Sequence, residues 1–223
     1  MIDFAAARRM MVDGQVRTSD VTDLRLVAAM LDVPREHYVP HDKAGLAYLD
    51  FDVPVTSGSH EAETRRLLKP VVLARMIQAA DVEEGDSVLD VGCATGYSAA
   101  ILGRLAGSVT ALEQDATLAR HARENLATAQ QSNVEVVTGP LVAGWAANGP
   151  YDVILLDGAT EVAPEALFGQ LKEGGRMVAV VGRTPNGRAM LYRCASGDVT
   201  GWPVFDAAAP TLPGFAAVPG FVF

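Results

Sequence analysis

The pattern of hydrophobic and polar positions changes near Ser87, where the second part of the chain begins. From there, short apolar runs rich in valine and leucine alternate with stretches of helical period. This alternation is typical of buried parallel strands joined by helices. The predicted strands are Val88–Val91, Val109–Glu113, Val134–Thr138, Val153–Asp157, Arg176–Val181 and Ala189–Cys194, and the predicted helices are Tyr97–Leu105, Thr117–Ala129 and Pro164–Leu171.

The C-terminal strands are expected to run antiparallel. A Gly174–Gly175 turn precedes the fifth strand, and Pro185-Asn186-Gly187 is a hairpin signal between the fifth and sixth. The chain is therefore predicted to be an α/β protein. Its sheet is doubly wound and mostly parallel, with an antiparallel C-terminal end and an N-terminal helical extension.

The first third of the chain reads as helical. Asp3 can cap a helix that reaches about Val12 and stops at Gly14. A second helix is predicted over Asp20–Leu31. Its buried face is expected to carry Val21, Leu24, Val27, Ala28 and Leu31.

Prolines divide the segment that follows. Pro34 fits the first turn of a short third helix, which Pro40 ends. The stretch Glu63–Ala80 is helical in character, and Pro70 within it either breaks that helix or starts a new one.

The sequence VLDVGCATGY is the most informative stretch, because it joins an apolar strand to a loop that contains Gly92 and Gly96. Glycine lets the backbone turn sharply and lets a ligand approach the main chain. Glu113 ends the next apolar run, where a carboxylate can accept hydrogen bonds from ribose hydroxyls. Gly139 and Asp157 also lie at the ends of predicted parallel strands, so all of these positions are expected at one edge of the sheet. The pattern predicts a site for a nucleoside-containing cofactor.

The spacing of the glycines excludes two common cofactor loops. A dinucleotide-binding turn has the form G-x-G-x-x-G/A, whereas here Ala94 takes the second position and the bulky Tyr97 the third. A phosphate-binding P-loop requires a Gly-Lys-Ser/Thr sequence, which does not follow. The remaining pattern, D-x-G-x-x-x-G with an acid at the next strand end, resembles motif I of class I S-adenosylmethionine-dependent methyltransferases.

Two further blocks resemble the protein-L-isoaspartate O-methyltransferase family. The N-terminal block, Met11–Pro40, has the family's Gln-x-Arg and Val-Pro-Arg-x-x-aromatic-Val-Pro patterns, and the second block is Gly149–Gly182. The terminal Phe221–Phe223 is similar to the family's last strand. The matching residues are Gln15, Arg17, Val33, Pro34, Arg35, Tyr38, Val39, Pro40, Tyr151, Asp152, Pro164, Leu167, Leu171, Gly174, Gly175 and Arg176.

The resemblance implies S-adenosyl-L-methionine as cofactor and an isoaspartyl-containing protein or peptide as acceptor. We expect Gly92, Ala94 and Gly96 to form a backbone cradle, Asp90 to position the loop or the cofactor's amine, and Glu113 to bind the ribose. The full set expected at the cofactor is Asp90, Gly92, Cys93, Ala94, Gly96, Tyr97, Glu113, Gln114, Gly139, Pro140 and Asp157. Residues 1–80 are expected to form the helical extension and the acceptor-side segment, and residues 81–223 the cofactor-binding domain, within one compact unit.

The acceptor segment departs from the family pattern. Family members have Gly-Gln-Thr-Ile-Ser before a proline and an apolar helix, with the serine and threonine near the acceptor carboxylate. Aligned on Pro70, this chain has Leu68 at the serine position and Arg66 at the threonine position. The connection between Pro54 and Pro70 is also longer than the family pattern.

Two explanations of this departure stay open. In the first, Ser57, Ser59 or His60 in the longer loop folds back to supply the missing hydroxyl. Alternatively, the pocket serves a different acceptor, such as a small molecule, and Arg65 or Arg66 clamps its anionic group. The candidate catalytic residues are accordingly Ser59, His60 and Arg66.

Two smaller departures affect the cofactor site. Gly139 is followed by Pro140, where the family has an aspartate that helps to hold the adenine, so adenine contact there is expected to be apolar. Asp157 stands where the family more often has threonine or histidine, and it could face cofactor or acceptor. We expect no metal, because no companion acid-amide pair follows at a suitable place.

Composition narrows the function classes. The net charge of −9 and the absence of a basic run argue against nucleic acid as a partner. No apolar stretch is long enough for a membrane span or a signal peptide, and two cysteines give no disulfide framework. A cytoplasmic protein without a membrane partner is expected. The alternatives are a non-catalytic S-adenosylmethionine-binding protein and, more remotely, an NAD-dependent reductase.

Overall fold

The computed structural model describes residues 2–56 and 64–217. The candidate residues Ser57, Ser59 and His60, and the expected last strand Phe221–Phe223, lie outside these ranges. Two strands, β1 (Val53–Pro54) and β2 (Arg66–Leu67), form a small antiparallel pair. The main sheet consists of β3 (Ser87–Val91), β4 (Ser108–Glu113), β5 (Val134–Thr138), β6 (Tyr151–Thr160), β7 (Leu171–Val181), β8 (Arg188–Ala195) and β9 (Asp198–Asp206).

The main sheet has the strand order β5-β4-β3-β6-β7-β8-β9. The first five strands in that order, β5 to β7, are parallel, and β8 is antiparallel to β7, as predicted. Strand β9 is antiparallel to β8. After β5 the chain returns to the other side of β3 to form β6, so the strand order reverses between β3 and β6. In open α/β sheets, ligands bind beyond the carboxyl ends of the strands at such a reversal.

Helices cover both faces of the sheet. The α-helices of the described residues are α1 (Phe4–Met11), α2 (Leu24–Asp32), α3 (Pro70–Ala80), α4 (Tyr97–Leu102), α5 (Ala116–Thr128) and α6 (Glu165–Phe168). Helices α3, α4 and α5 pack on the face that contains Val88, whereas α6 and a short 3-10 helix pack on the face that contains Leu89. Both faces of β3 are buried, which fits its apolar residues Val88, Leu89 and Val91. None of the helices in the described ranges has the length and apolar character that crossing a bilayer requires.

The N-terminal helices differ from the prediction. Gly14 does not end the first helix, because a π-helical segment, Val12–Val16, continues it and keeps both valines in the core. The second helix begins at Leu24 instead of Asp20, since Asp20 has a left-handed backbone and Asp23 caps the helix. Of its expected buried face, Val21 and Val27 are buried and Leu31 is half-buried, but two positions were wrong. Leu24 is 72% exposed and Ala28 is exposed, whereas the buried residues are Leu26, Val27, Ala29 and Met30.

Other boundaries also needed correction. The described residues before Pro70 form β2 instead of a helix, and Pro70 is the first residue of α3. The helix expected over Pro164–Leu171 is a single turn, α6. Strand β7 starts before the Gly174–Gly175 turn, which is a bulge in its pairing with β6. Strand β9 was not predicted, because its residues are mostly exposed and include Pro203.

Candidate cofactor site

The glycine loop lies directly after β3, at the reversal of strand order. Gly92 and Gly96 have φ angles of 87° and 95°, a region that favours glycine. A Cβ atom at position 92 would lie 3.0 Å from Cδ2 of Leu212 and 3.3 Å from Nη2 of Arg65, and one at position 96 would lie 3.3 Å from Cβ of Ala122. Both glycines are required by backbone conformation and by close neighbours.

Glu113, at the end of β4, is fully buried and binds four donors. Its Oε2 accepts hydrogen bonds from the backbone N–H of Ala94, at 2.8 Å, and from Nη2 of Arg65, at 2.9 Å. Its Oε1 accepts from the backbone N–H groups of Gln114 and Asp115, at 2.8 and 3.0 Å. The carboxylate therefore ties the glycine loop to the end of the neighbouring strand.

Arg65 binds both the glycine loop and Glu113 at this edge of the sheet. Its Nη2 also donates to the backbone oxygen of Gly92, at 3.0 Å, and the side chain is only 9% exposed. Its Nε is buried and makes no hydrogen bond within the described part of the chain. The sequence suggested Arg65 as a clamp for an anion, but nothing in it indicated that Glu113 would be that anion.

Asp90 and Asp157 form a buried acidic pair on adjacent strands. Asp90 of β3 lies opposite Leu155 of β6, two residues before Asp157. Oδ2 of Asp90 accepts a hydrogen bond from Oγ of Ser98, at 2.7 Å. Oδ1 of each aspartate is buried and makes no hydrogen bond in the described ranges. Such atoms are rare in folded proteins, and they are satisfied when a ligand donates to them.

The environment of the acidic pair disfavours two negative charges. Burial, followed by the nearby Asp157, raises the pKa of Asp90 well above its ordinary value. Burial also raises the pKa of Asp157 to about 6. A cationic group placed between the two carboxyls would favour their ionised forms.

Two further residues expected at the cofactor, Cys93 in the loop and Tyr97 at the start of α4, are buried. Burial raises the pKa of the Cys93 thiol well above its ordinary value, so it stays protonated at neutral pH. The ring of Tyr97 packs against that of Tyr38, and the guanidinium of Arg35 lies 4.6 Å from its centroid. Tyr97 therefore joins the glycine loop to the N-terminal segment.

Gly139 and Pro140 lie at the rim of the site, after β5. A Cβ atom at position 139 would lie 3.1 Å from the ring of Trp145, and Pro140 is exposed before a 3-10 helix, Leu141–Ala143. Trp145 was not identified from the sequence, where an isolated tryptophan gave no motif. Its ring lies beside Gly139, next to the position where apolar contact with the adenine was expected.

Arg35 connects the residues around Ala47 to the segment that precedes α3. It is fully buried, and it donates from Nε to the backbone oxygen of Ala47 and from Nη2 to that of Leu68, both at 2.8 Å. Leu68, which stands at the family's serine position, is itself buried. Its side chain cannot donate a hydrogen bond to an acceptor.

A cavity of about 690 Å³ lies beside this segment. Arg66, Asp52 and Leu212 are among its lining residues. Arg66 also donates from Nη1 to the backbone oxygen of Asp52, at 3.3 Å. Because Leu212 lines the cavity and also packs on Gly92, it separates the cavity from the glycine loop.

Comparison with known sequences identifies the relatives of this chain. Residues 7–201 match the family model described as Protein-L-isoaspartate(D-aspartate) O-methyltransferase (PCMT). A protein-L-isoaspartate O-methyltransferase of Koribacter versatilis is 41% identical over 179 residues, which are 80% of this chain and 78% of the relative. One from Rhodopseudomonas palustris is 40% identical over 188 residues, 84% of each chain.

Solved structures agree with this fold. A protein-L-isoaspartate O-methyltransferase superposes with a TM-score of 0.80 at 24% identity, covering 93% of this chain and 66% of the other. A putative protein-L-isoaspartate O-methyltransferase from Plasmodium falciparum, in complex with S-adenosyl-L-homocysteine, has a TM-score of 0.74 at 18% identity, covering 92% and 97%. With the family match over most of its length, the chain belongs to the protein-L-isoaspartate(D-aspartate) O-methyltransferase family.

Proposed function

We propose that this protein transfers a methyl group from S-adenosyl-L-methionine to the free carboxylate of an isoaspartyl residue in a protein or peptide. The observation that carries the proposal is the convergence of Asp90, the Gly92–Gly96 loop, Glu113 and Asp157 at the reversal of strand order. The family membership supports the same reaction.

The chemistry of these residues fits the cofactor. The Oδ1 atoms of Asp90 and Asp157, which have no partner among the described residues, suit a cationic amine or sulfonium. Glu113 suits the ribose hydroxyls once its Oε2 is free. The backbone of the loop, including Cys93, Ala94 and Tyr97, forms the cradle. Gln114, Gly139 and Pro140 complete the set proposed from the sequence at the adenosine end.

The reaction requires little of the protein beyond alignment. S-adenosyl-L-methionine supplies a methyl group on a positively charged sulfur. A carboxylate acceptor is already ionised at neutral pH, so no side chain has to remove a proton. The residues of the glycine loop are buried, and holding the two reactants in line contributes several kcal/mol.

Methyl transfer from radiolabelled S-adenosyl-L-methionine to an isoaspartyl peptide tests the proposal directly. We expect transfer to the isoaspartyl peptide and none to the matched aspartyl peptide. Equal labelling of both peptides, or of neither, would rule out isoaspartyl specificity.

Replacing Leu68 tests the altered acceptor segment. Leu68→Ser restores a hydroxyl at the family position, and a hydrogen bond to a charged group contributes about 1.5 kcal/mol. We therefore expect kcat/KM to rise roughly tenfold relative to Leu68→Ala, which removes the same apolar bulk without adding a donor. If the two variants are equally active, position 68 does not contact the acceptor.

A non-catalytic S-adenosylmethionine-binding role is the second candidate. The burial of Leu68 favours it, because the hydroxyl expected near the acceptor is missing. Tight binding of S-adenosyl-L-homocysteine without methylation of any isoaspartyl, small-molecule or protein carboxylate would support this role. The two free, buried cysteines in either case support a reducing, cytoplasmic location.

A further inference from the structure

Two side chains of this protein meet over the glycine loop. Nη2 of Arg65 and both δ-carbons of Leu212 lie within 3.0 to 3.3 Å of the position that a Cβ atom on Gly92 would take. Arg65 comes from the segment before β2 and Leu212 from the segment after β9, so they reach the loop from different parts of the chain. Both are nearly completely buried, as is every residue from Asp90 to Leu102.

We propose that Arg65 and Leu212 form an internal plug, in which the guanidinium of Arg65 takes the place of a ligand on Glu113. The inference rests on the proposed function, because the ligand that the plug excludes is an adenosyl compound. Binding of that ligand then requires Arg65 to leave Glu113 and Leu212 to withdraw from Gly92.

The hydrogen bonds of Glu113 allow Arg65 to leave without loss of the loop. Three backbone N–H groups, of Ala94, Gln114 and Asp115, remain bound to the carboxylate when the guanidinium departs. The same Oε2 that Arg65 occupies is the atom that becomes available to a ribose hydroxyl. The glycine loop therefore keeps its conformation in both states.

The plugged state leaves buried polar atoms unsatisfied. Nε of Arg65 and Oδ1 of Asp90 and Asp157 have no hydrogen-bond partner in the described part of the chain. Buried polar atoms without partners destabilise the state that contains them. A ligand can therefore displace the plug. Its cationic group would pair with the buried aspartate oxygens, and its hydroxyl groups would bind Glu113.

Leu212 links the plug to the cavity beside Arg66. It is anchored by its backbone N–H, which donates to the oxygen of Ala159 at 2.9 Å, and its side chain divides the cavity of about 690 Å³ from Gly92. Withdrawal of this side chain joins the cavity to the cofactor crevice. An acceptor in the cavity then reaches the glycine loop only in the unplugged state.

The test is the binding kinetics of S-adenosyl-L-homocysteine. Only unplugged molecules bind, so the apparent Kd equals the intrinsic Kd divided by the unplugged fraction. We expect Arg65→Ala to lower the Kd at least about tenfold through a faster kon, with koff unchanged because Arg65 does not contact Glu113 in the bound state. Arg120→Ala, which breaks the exposed ion pair with Glu124, is the matched control and should bind like the parent protein.

Each other outcome overturns the plug. If the parent protein and Arg65→Ala bind with the same kinetics, the plug is wrong while the proposed function stands. If neither binds S-adenosyl-L-homocysteine, the plug and the proposed function both fail. Leu212→Ala, which leaves the Arg65–Glu113 pair intact, is the second variant should Arg65→Ala not fold, and it must raise kon in the same way.

Discussion

Glu113 and Arg65 show at the scale of single residues what a sequence can and cannot reveal. The position of Glu113 at a strand end was predicted from the apolar run before it, and the structure places it there. Its pairing with Arg65 joins positions 48 residues apart and depends on the packing of the chain. Neither a periodic pattern nor a motif encodes that contact, so the sequence predicted the acid but not its partner.

The acidic pair predicts a pH dependence of stability. The pKa of Asp157 is raised to about 6 in the folded protein, whereas an aspartate in the unfolded chain has a pKa of about 4. Between these pH values the folded protein holds a proton on Asp157 and the unfolded chain does not. Stability therefore falls as the pH rises between these values. Asp157→Asn should remove this loss. The change in free energy of unfolding that it causes should be more favourable at pH 7 than at pH 4, by up to about 3 kcal/mol. Urea unfolding at both pH values measures it.

Asp152 serves as a control, because its pKa is shifted in the opposite direction from that of Asp157. Burial acts to raise its pKa, but hydrogen bonds from Lys172 and Ser87 outweigh this and lower it. Its contribution to stability is present above the unfolded pKa and is lost as the pH falls through the folded value. Asp152→Asn should therefore cost more stability at pH 7 than at low pH. If Asp157→Asn followed the same trend, the raised pKa of Asp157 would be wrong.

At the scale of elements, strands that carry a run of apolar residues were predicted, whether central or at an edge. Strand β5 has the predicted bounds, Val134–Thr138, and β3 and β4 each begin one residue earlier than predicted. Strand β9 escaped prediction, since an edge strand with solvent on most of its side chains has no apolar alternation. The buried face of α2 was only partly predicted: Val27 is buried, but Leu24, the first residue of the helix, is exposed.

The helical conformation around Gly14 gives a prediction for the first helix. Position 14 lies within the π-helical segment, and no atom lies within 4 Å of a Cβ added there. Gly14→Ala should therefore raise the free energy of unfolding by about 0.5–1 kcal/mol. Gly14→Pro, which clashes with the preceding turn, should lower it by about 3 kcal/mol. Thermal or urea unfolding that ranks the alanine variant below the parent protein would contradict the helical assignment.

At the scale of the whole molecule, contacts cross the division expected between residues 1–80 and 81–223. Oγ1 of Thr95 donates to the backbone oxygen of Tyr38, and Nε of Arg176 donates to that of Ala80, at 2.5 and 2.7 Å. The glycine loop and the sheet are thus each tied to the N-terminal part. The division itself stays a prediction, which limited proteolysis can address.

The net charge predicts how acceptor peptides respond to salt. A chain with a net charge of −9 repels an acidic peptide and attracts a basic one, and salt screens both effects. Between about 20 and about 300 mM salt, kcat/KM should rise several-fold for an isoaspartyl peptide with acidic flanks and fall for one with basic flanks. The kcat values should stay constant. A parallel trend for both peptides would place the effect in folding or cofactor binding.

The position of Leu212 between the cavity and the glycine loop has a consequence for inhibitor design. A compound that fills the cavity and braces Leu212 against Gly92 would lock the enzyme shut without resembling adenosine. Such a molecule would act through contacts with the wall of the cavity and not through nucleoside recognition.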